Sequence, residues 1–295
     1  MHVRAAVLPA APSRPCEDFA AASSTADGGV LVVLDGVTPP AGEDGCSHGV
    51  PWFVDRLGGA LTEAAVRRPR VPLTECLARA ITRVAAAHRA TCDLSHPRTP
   101  QATVVLARWS ERTVEHLVLC DSVLLIRDPG GGVRPVHDTR LEICRARARE
   151  RVAAERVTFL EGLRNAPDGF PTAAADPTVA DLALIGTTPR ERVAALAALT
   201  DGAGRWTDTF ALGDWTALFD LLLTDGPERL LEEVRGAEAA DPECRIFPRG
   251  KASDDAAAVV VDLRTGSGGG GGTAPPDPVP DDRIGPPSAG APPAG

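Results

Sequence analysis

The order of sequence patterns predicts an α+β domain. Strand-like runs come first, then helical periodicities, more strands, more helices and a closing strand. Alternating β-α-β units, the mark of a parallel sheet, are missing from that order. Residues 1–264 carry apolar patterning throughout and read as one domain, whereas 265–295 are dominated by glycine and proline. A segment with so few apolar side chains cannot offset its ordering entropy, so 265–295 are expected to form a disordered tail, flexible in its glycine part and stiffer in its proline part.

Taken in order, 20–24 and the apolar run Val30–Leu34 read as two strands joined by a hairpin turn at Asp27-Gly28-Gly29. Helical spacing of Phe53, Leu57, Leu61 and Ala65 predicts one helix, and Leu73, Leu77, Ile81, Val84 and His88 predict a second. Three apolar stretches follow at 102–109, 114–120 and 123–127, separated by turn residues. They predict an antiparallel meander covered on both faces. Residues 140–165, rich in Arg, Glu, Ala and Leu, predict helix. A strand-like run over 192–200 ends on Asp201-Gly202. Amphipathic helices are expected at 212–223 and 228–235, and a last strand at 256–263 after Asp254-Asp255.

Composition narrows the function classes. The net charge is −9 and the aromatics are four Trp, seven Phe and no Tyr. Nucleic-acid binding relies on neutralised phosphates and on stacking rings, so no nucleic acid is expected as partner. No run of about 18 apolar residues occurs, so no membrane span is expected. The first residues lack a signal-like apolar run, which makes the cytoplasm the expected location. Seven cysteines without a Cys-x-x-Cys pair indicate neither a disulfide framework nor a zinc site, and free thiols are expected. The oligomeric state is open, with a monomer favoured.

The informative feature is the placement of acids at strand ends. Asp18 opens the first strand, Asp35 closes the next, Asp201 follows the 192–200 run, and Asp254 precedes the last strand. Carboxylates so placed can meet on one rim of a sheet and offer oxygen ligands to hard cations such as Mg²⁺ or Mn²⁺. One Asp-Gly alone is a common turn dipeptide, also found here at Asp27, Asp44, Asp168 and Asp225. The whole ordered set is more specific.

Five segments carry a family resemblance: Arg14-Pro15-Cys16-Glu17-Asp18, Val32-Val33-Leu34-Asp35-Gly36-Val37, Leu117-Val118-Leu119-Cys120-Asp121-Ser122, Leu199-Thr200-Asp201-Gly202, and Lys251 to Val260 around Asp254-Asp255. Together they resemble the type 2C, metal-dependent serine/threonine phosphatase family, bacterial branch. The resemblance spans 1–264. It implies a four-layer α-β-β-α sandwich of two antiparallel sheets flanked by helices, with two Mn²⁺ or Mg²⁺ ions at one end. It also implies a phosphoprotein substrate. Carried over, Asp35 would bridge the metals, the Gly36 carbonyl, Asp201 and Asp254 would complete the site, and Asp18 would bind through water or orient the cluster. Glu17, Asp121 and Asp255 would support it, Arg14 would clamp phosphate, and His48 would contact substrate. Alternative readings stand beside these: a solvated Arg14, a capping or surface His48, and a turn role for Asp121.

Departures accompany the resemblance. Arg14 stands three residues before Glu17 instead of four, Cys120 replaces a glycine, and Val37-Thr38-Pro39-Pro40 replaces the family's usual continuation. They motivate a second expectation, a catalytically weak or inactive phosphatase-like binding module. Arg249 and Lys251 are expected to be solvated loop charges, although they could offset the acids. Two further motifs read as decoys. Leu-Thr-Asp-Gly recurs at 223–226 before Pro227, where Asp225 or a neighbour is expected to cap a helix. Gly45-Cys46-Ser47-His48-Gly49 fits a hydrolase elbow but follows a loop, and Ser47 is expected to cap the next helix.

Overall fold

The computed structural model describes residues 1–264, so the expected tail lies outside the described residues. Ten strands form two five-stranded antiparallel sheets. One sheet has the order β1 (His2–Leu8), β10 (Ala256–Asp262), β9 (Ala195–Leu199), β6 (Val123–Arg127), β7 (Val133–Val136). The other runs β2 (Asp18–Thr25), β3 (Gly28–Asp35), β4 (Val104–Ser110), β5 (Thr113–Leu119), β8 (Leu184–Pro189).

The continuous apolar runs follow from where these strands sit. Successive side chains point to opposite faces of a strand, so a strand covered on both sides is apolar at every position. Leu31 and Val33 of β3 face the space between the sheets, where they meet Leu124, Leu196, Val259 and Val261 of the other sheet. Val30, Val32 and Leu34 face the opposite way, onto α1 (Gly49–Arg67) and α2 (Leu73–His88). On the far side, Ala197, Leu199, Ala258 and Val260 pack against α5 (Asp201–Asp208), α6 (Trp215–Thr224) and α7 (Pro227–Ala240). The expected four layers are therefore present. Full burial of one Leu or Phe of this core contributes about 1.5–3 kcal/mol.

The three-strand meander is corrected. β4 and β5 pair, but β6 leaves for the other sheet and pairs with β9 and β7. Cys120, between β5 and β6, has φ 69, and this left-handed residue turns the chain across the sandwich. It occupies the position where the family has glycine, the residue that adopts such φ without penalty. The 140–165 region is two helices, α3 (Arg140–Arg149) and α4 (Arg156–Leu163). One capping expectation is also corrected: His48, not Ser47, is the N-cap of α1. The cap of α7 is Gly226, the neighbour of Asp225, with Pro227 at the first helical position. Asp225 ends α6 and accepts a hydrogen bond from the Thr224 hydroxyl at 2.7 Å.

Candidate metal centre

Strand pairing brings the acids together. β2 and β3 place Asp18 directly opposite Asp35. β9 leads through Thr200 into α5, whose first residue is Asp201, and the Asp201 backbone N–H points at Asp35 Oδ2 at 3.4 Å. Asp254 lies just before β10, the neighbour of β9. One cleft of about 270 Å³ is lined by Asp35, Gly36, Asp121, Asp201 and Asp254. Carboxylates from both sheets thus converge at one end of the sandwich.

The glycines after two of these acids are steric requirements. A Cβ on Gly36 would stand 2.4 Å from both the Glu17 carbonyl oxygen and Val50 Cγ1. On Gly202 it would lie 1.9 Å from the Asp255 carbonyl oxygen. Only glycine admits backbone that close.

Supporting residues fix the cluster. Asp255 accepts the Ala10 N–H at 2.5 Å and the Glu17 N–H at 2.6 Å, which holds the approach to Asp18. The Glu17 carbonyl accepts the Gly36 N–H at 2.9 Å, and its carboxylate accepts the Thr38 hydroxyl. Asp35 N–H donates to Thr103 Oγ1 at 3.2 Å, and that hydroxyl meets Ser122 Oγ at 2.6 Å.

Electrostatically the cluster is strained by its own charge. Burial, then the charges of Asp201, Asp18, Asp121 and Asp254, push the Asp35 carboxyl well above the usual carboxylate range. Asp18 is pushed well up as well, by burial first and by the nearby acids, with Thr200 pulling the other way. Asp254 is raised by burial and by Asp201, against Lys251 and Arg205. Asp18 Oδ2 is buried without a hydrogen-bond partner among the described residues. A buried, unpartnered carboxylate oxygen beside other carboxylates is costly unless a cation meets it. An all-oxygen donor set of this kind fits hard divalent ions.

Cations of the chain also enter the cleft. Arg145 pairs with Asp121 at 3.0 Å and lies 3.9 Å from Asp201. Arg164 lines the same wall. Arg205 bridges buried Glu238 at 2.6 Å and Asp254 at 2.7 Å, and Lys251 reaches the other Asp254 oxygen at 2.9 Å. Lys251 is therefore not merely a solvated charge. Arg249 is not solvated either: it pairs with buried Asp241 at 2.8 Å.

Five expected residues do not line the cleft: Asp18, Glu17 and Asp255 are held beside it by the contacts above, and Arg14 and His48 lie elsewhere. Arg14 is exposed in the turn closed by its N–H to the Ala11 carbonyl, and His48 sits at the start of α1 beside Cys46 and Cys92. Neither lines the cavity. Arg145 and Arg164 were not singled out from the sequence, because they sit in an arginine-rich helical stretch where nothing distinguishes them. The possible elbow at 45–49 runs from a loop into the first residue of α1, with no strand directly before it, as its loop context indicated.

A family model described as protein phosphatase 2C matches residues 11–234, which takes in Asp18, Asp35 and Asp201 and stops before Asp254. No curated protein matches the chain in sequence. Among solved structures, the serine/threonine phosphatase Stp1 from Staphylococcus aureus is 11% identical, with a TM-score of 0.59 over 89% of this chain and 95% of that one. The Mycobacterium tuberculosis serine/threonine phosphatase PstP/Ppp is 16% identical, with a TM-score of 0.56 over 90% and 99%. The catalytic domain of PstP in complex with 2 manganese ions is 13% identical, with a TM-score of 0.54 over 88% and 97%. At such identities the likeness is one of fold.

Proposed function

The chain belongs to the protein phosphatase 2C family, and from that premise we propose that it hydrolyses phosphoserine and phosphothreonine on proteins with the help of two Mn²⁺ or Mg²⁺ ions. The observation that carries the reading is the meeting of Asp35, Asp201 and Asp254 at one cleft, with Asp18 opposite Asp35 on the neighbouring strand and its buried Oδ2 left without a partner among the described residues. Asp35, the Gly36 carbonyl, Asp201 and Asp254 would hold the ions, with Asp18 orienting the cluster. When bound, such a pair of ions supplies charge neutralisation and an acidified water aimed at phosphorus.

The chain's own residues do the rest. Arg145, held by Asp121 beside Asp201, is placed to bind the phosphoryl oxygens, the role expected of Arg14. Asp255 and Glu17 keep the Asp18 segment against Gly36. No histidine lines the cleft among the described residues, so the leaving oxygen would take its proton from solvent.

One observation favours the second reading, a weak or inactive phosphatase-like module. Both oxygens of Asp254 are already ion-paired, with Arg205 and with Lys251. The experiment is hydrolysis of p-nitrophenyl phosphate and of a phosphothreonine peptide by the full chain, with Mn²⁺, Mg²⁺ or EDTA, beside Asp35→Asn. Metal-dependent turnover lost in the variant supports the enzyme. No turnover of either substrate with any metal removes the enzyme reading and leaves the binding module.

A further inference from the structure

Cys46, His48 and Cys92 meet at the surface, outside the acidic cleft. Cys46 Sγ and Cys92 Sγ are 3.4 Å apart, His48 Nδ1 is 3.3 Å from Cys92 Sγ, and it is 3.8 Å from Cys46 Sγ. All three donor atoms lie within 4.8 Å of one another. In a tetrahedral zinc site, with Zn–S about 2.3 Å and Zn–N about 2.0–2.1 Å, an S···S edge measures about 3.8 Å and an S···N edge about 3.5 Å. The three observed separations fall within a few tenths of an ångström of one face of that tetrahedron.

From this geometry we propose that Cys46, His48 and Cys92 bind one Zn²⁺ ion. The surrounding contacts are those such a site uses. The backbone N–H of His48 donates to Cys46 Sγ at 3.4 Å, and that of Ser47 donates to Cys92 Sγ at 3.4 Å. Hydroxyls of Ser47 and Thr91 lie 3.6 Å from Cys92 Sγ. Donors collected around sulfur favour the thiolate, the form that binds metal. The His48 ring is held by Trp52, whose centroid is 4.3 Å away at an interplanar angle of 30°. That stacking keeps Nδ1 turned to the sulfurs.

The two segments are already docked. The Asp93 N–H donates to the Gly45 carbonyl at 2.8 Å, and Gly45 has φ 77, with no room for a Cβ beside His96. The ligand atoms thus need no large rearrangement to meet an ion. Thiolate and imidazole ligands select zinc over the hard cations that suit the carboxylate cleft. No fourth Cys, His or carboxylate joins the group among the described residues, and His48 is exposed, which leaves the fourth position to water. The ion would tie the 39–49 loop, which leaves the cleft after Val37 and Thr38, to the chain just past α2.

The test uses the full chain, reduced and metal-free, in excess Mg²⁺ to fill the carboxylate centre. Co²⁺ is titrated as the probe and Zn²⁺ is then added. A thiolate-to-cobalt charge-transfer band that saturates at one equivalent and is bleached by Zn²⁺ is the expected result. Cys46→Ser and Cys92→Ser should each weaken Zn²⁺ binding by more than the roughly 10–100-fold seen for outer-shell changes. Unchanged melting of these variants in EDTA would show that folding is intact. The proposal is overturned if the reduced protein gives no charge-transfer band. A band that survives the double Cys46→Ser, Cys92→Ser variant would overturn it too, as would formation of a Cys46–Cys92 disulfide with no metal uptake by the reduced form.

Discussion

Asp35→Asn should change stability in opposite directions with and without metal. In EDTA, the Asp35 carboxyl is held well above the usual range by burial and then by its acidic neighbours. The folded state therefore holds that proton more tightly than the unfolded chain does. Stability from this group is present at low pH and is lost as pH rises through the folded value. Asn removes the dependence, so at pH 8 without metal the variant should be the more stable protein. Each tenfold change in proton affinity is worth about 1.4 kcal/mol, and for domains of roughly 150–250 residues each kcal/mol moves Tm by about 2–4 °C. With Mn²⁺ the sign reverses. At 100 times Kd a ligand stabilises by about 2.7 kcal/mol, equivalent to about 5–10 °C here, and Asn should lose most of it. The assay is thermal melting from pH 5 to 9 in EDTA and in Mn²⁺. A variant less stable than wild type in EDTA at pH 8, or one stabilised by Mn²⁺ as wild type is, would refute the charge argument.

Arg145→Ala should raise KM for a phosphomonoester by about 10–100-fold, the equivalent of one charged hydrogen bond of about 1.5–3 kcal/mol, with a smaller change in kcat in steady-state assays. Gly202→Ala should lower the urea midpoint and abolish activity, because its Cβ would fall 1.9 Å from the Asp255 carbonyl oxygen, next to Asp254. His116 is held down to about 4 by burial and then by the charge of Arg134. Its unfolded form binds the proton more readily, so stability should fall as pH drops from about 6.5 towards 4. His116→Leu should flatten urea midpoints across that window.

What the sequence made legible follows from burial. β3, β9 and β10 are covered on both faces, so they appear as uninterrupted apolar runs, while β4 and β5 read as apolar runs broken at Arg108 and at Glu115-His116. The strands not foreseen, β1, β7 and β8, are all sheet edges. There half the side chains face solvent, and runs such as Leu184-Ile185-Gly186-Thr187-Thr188-Pro189 look like loop. The switch of β6 between sheets was illegible because it depends on one left-handed residue, Cys120, and not on hydrophobic pattern. In the centre, the acids were visible from their order along the chain. The cations that meet them were not, because Arg145 and Arg205 lie on helices with other charges, Arg164 just past the end of another, and only the fold aims them inward. Cys46 and Cys92 escaped for a similar reason: no local spacing rule joins residues 46 positions apart.

The departure after Asp35-Gly36 has a structural answer that bears on the choice between enzyme and inert module. Thr38, in the altered stretch, donates its hydroxyl to the Glu17 carboxylate and receives the Lys251 ammonium at 3.0 Å. Lys251 in turn holds Asp254. The substituted loop is thus bonded into the acidic centre through a neutral residue and a half-exposed cation. Lys251 is half-exposed, whereas Arg205 is buried with Glu238. An incoming divalent ion could displace the exposed ammonium at little cost, while the Arg205–Asp254 pair stays intact and leaves one Asp254 oxygen to the metal. On that argument the ion pairs at Asp254 weaken metal affinity without abolishing it. Lys251→Met should then lower the Mn²⁺ concentration needed for half-maximal stabilisation. An increase in that concentration would mean instead that Lys251 serves the bound state.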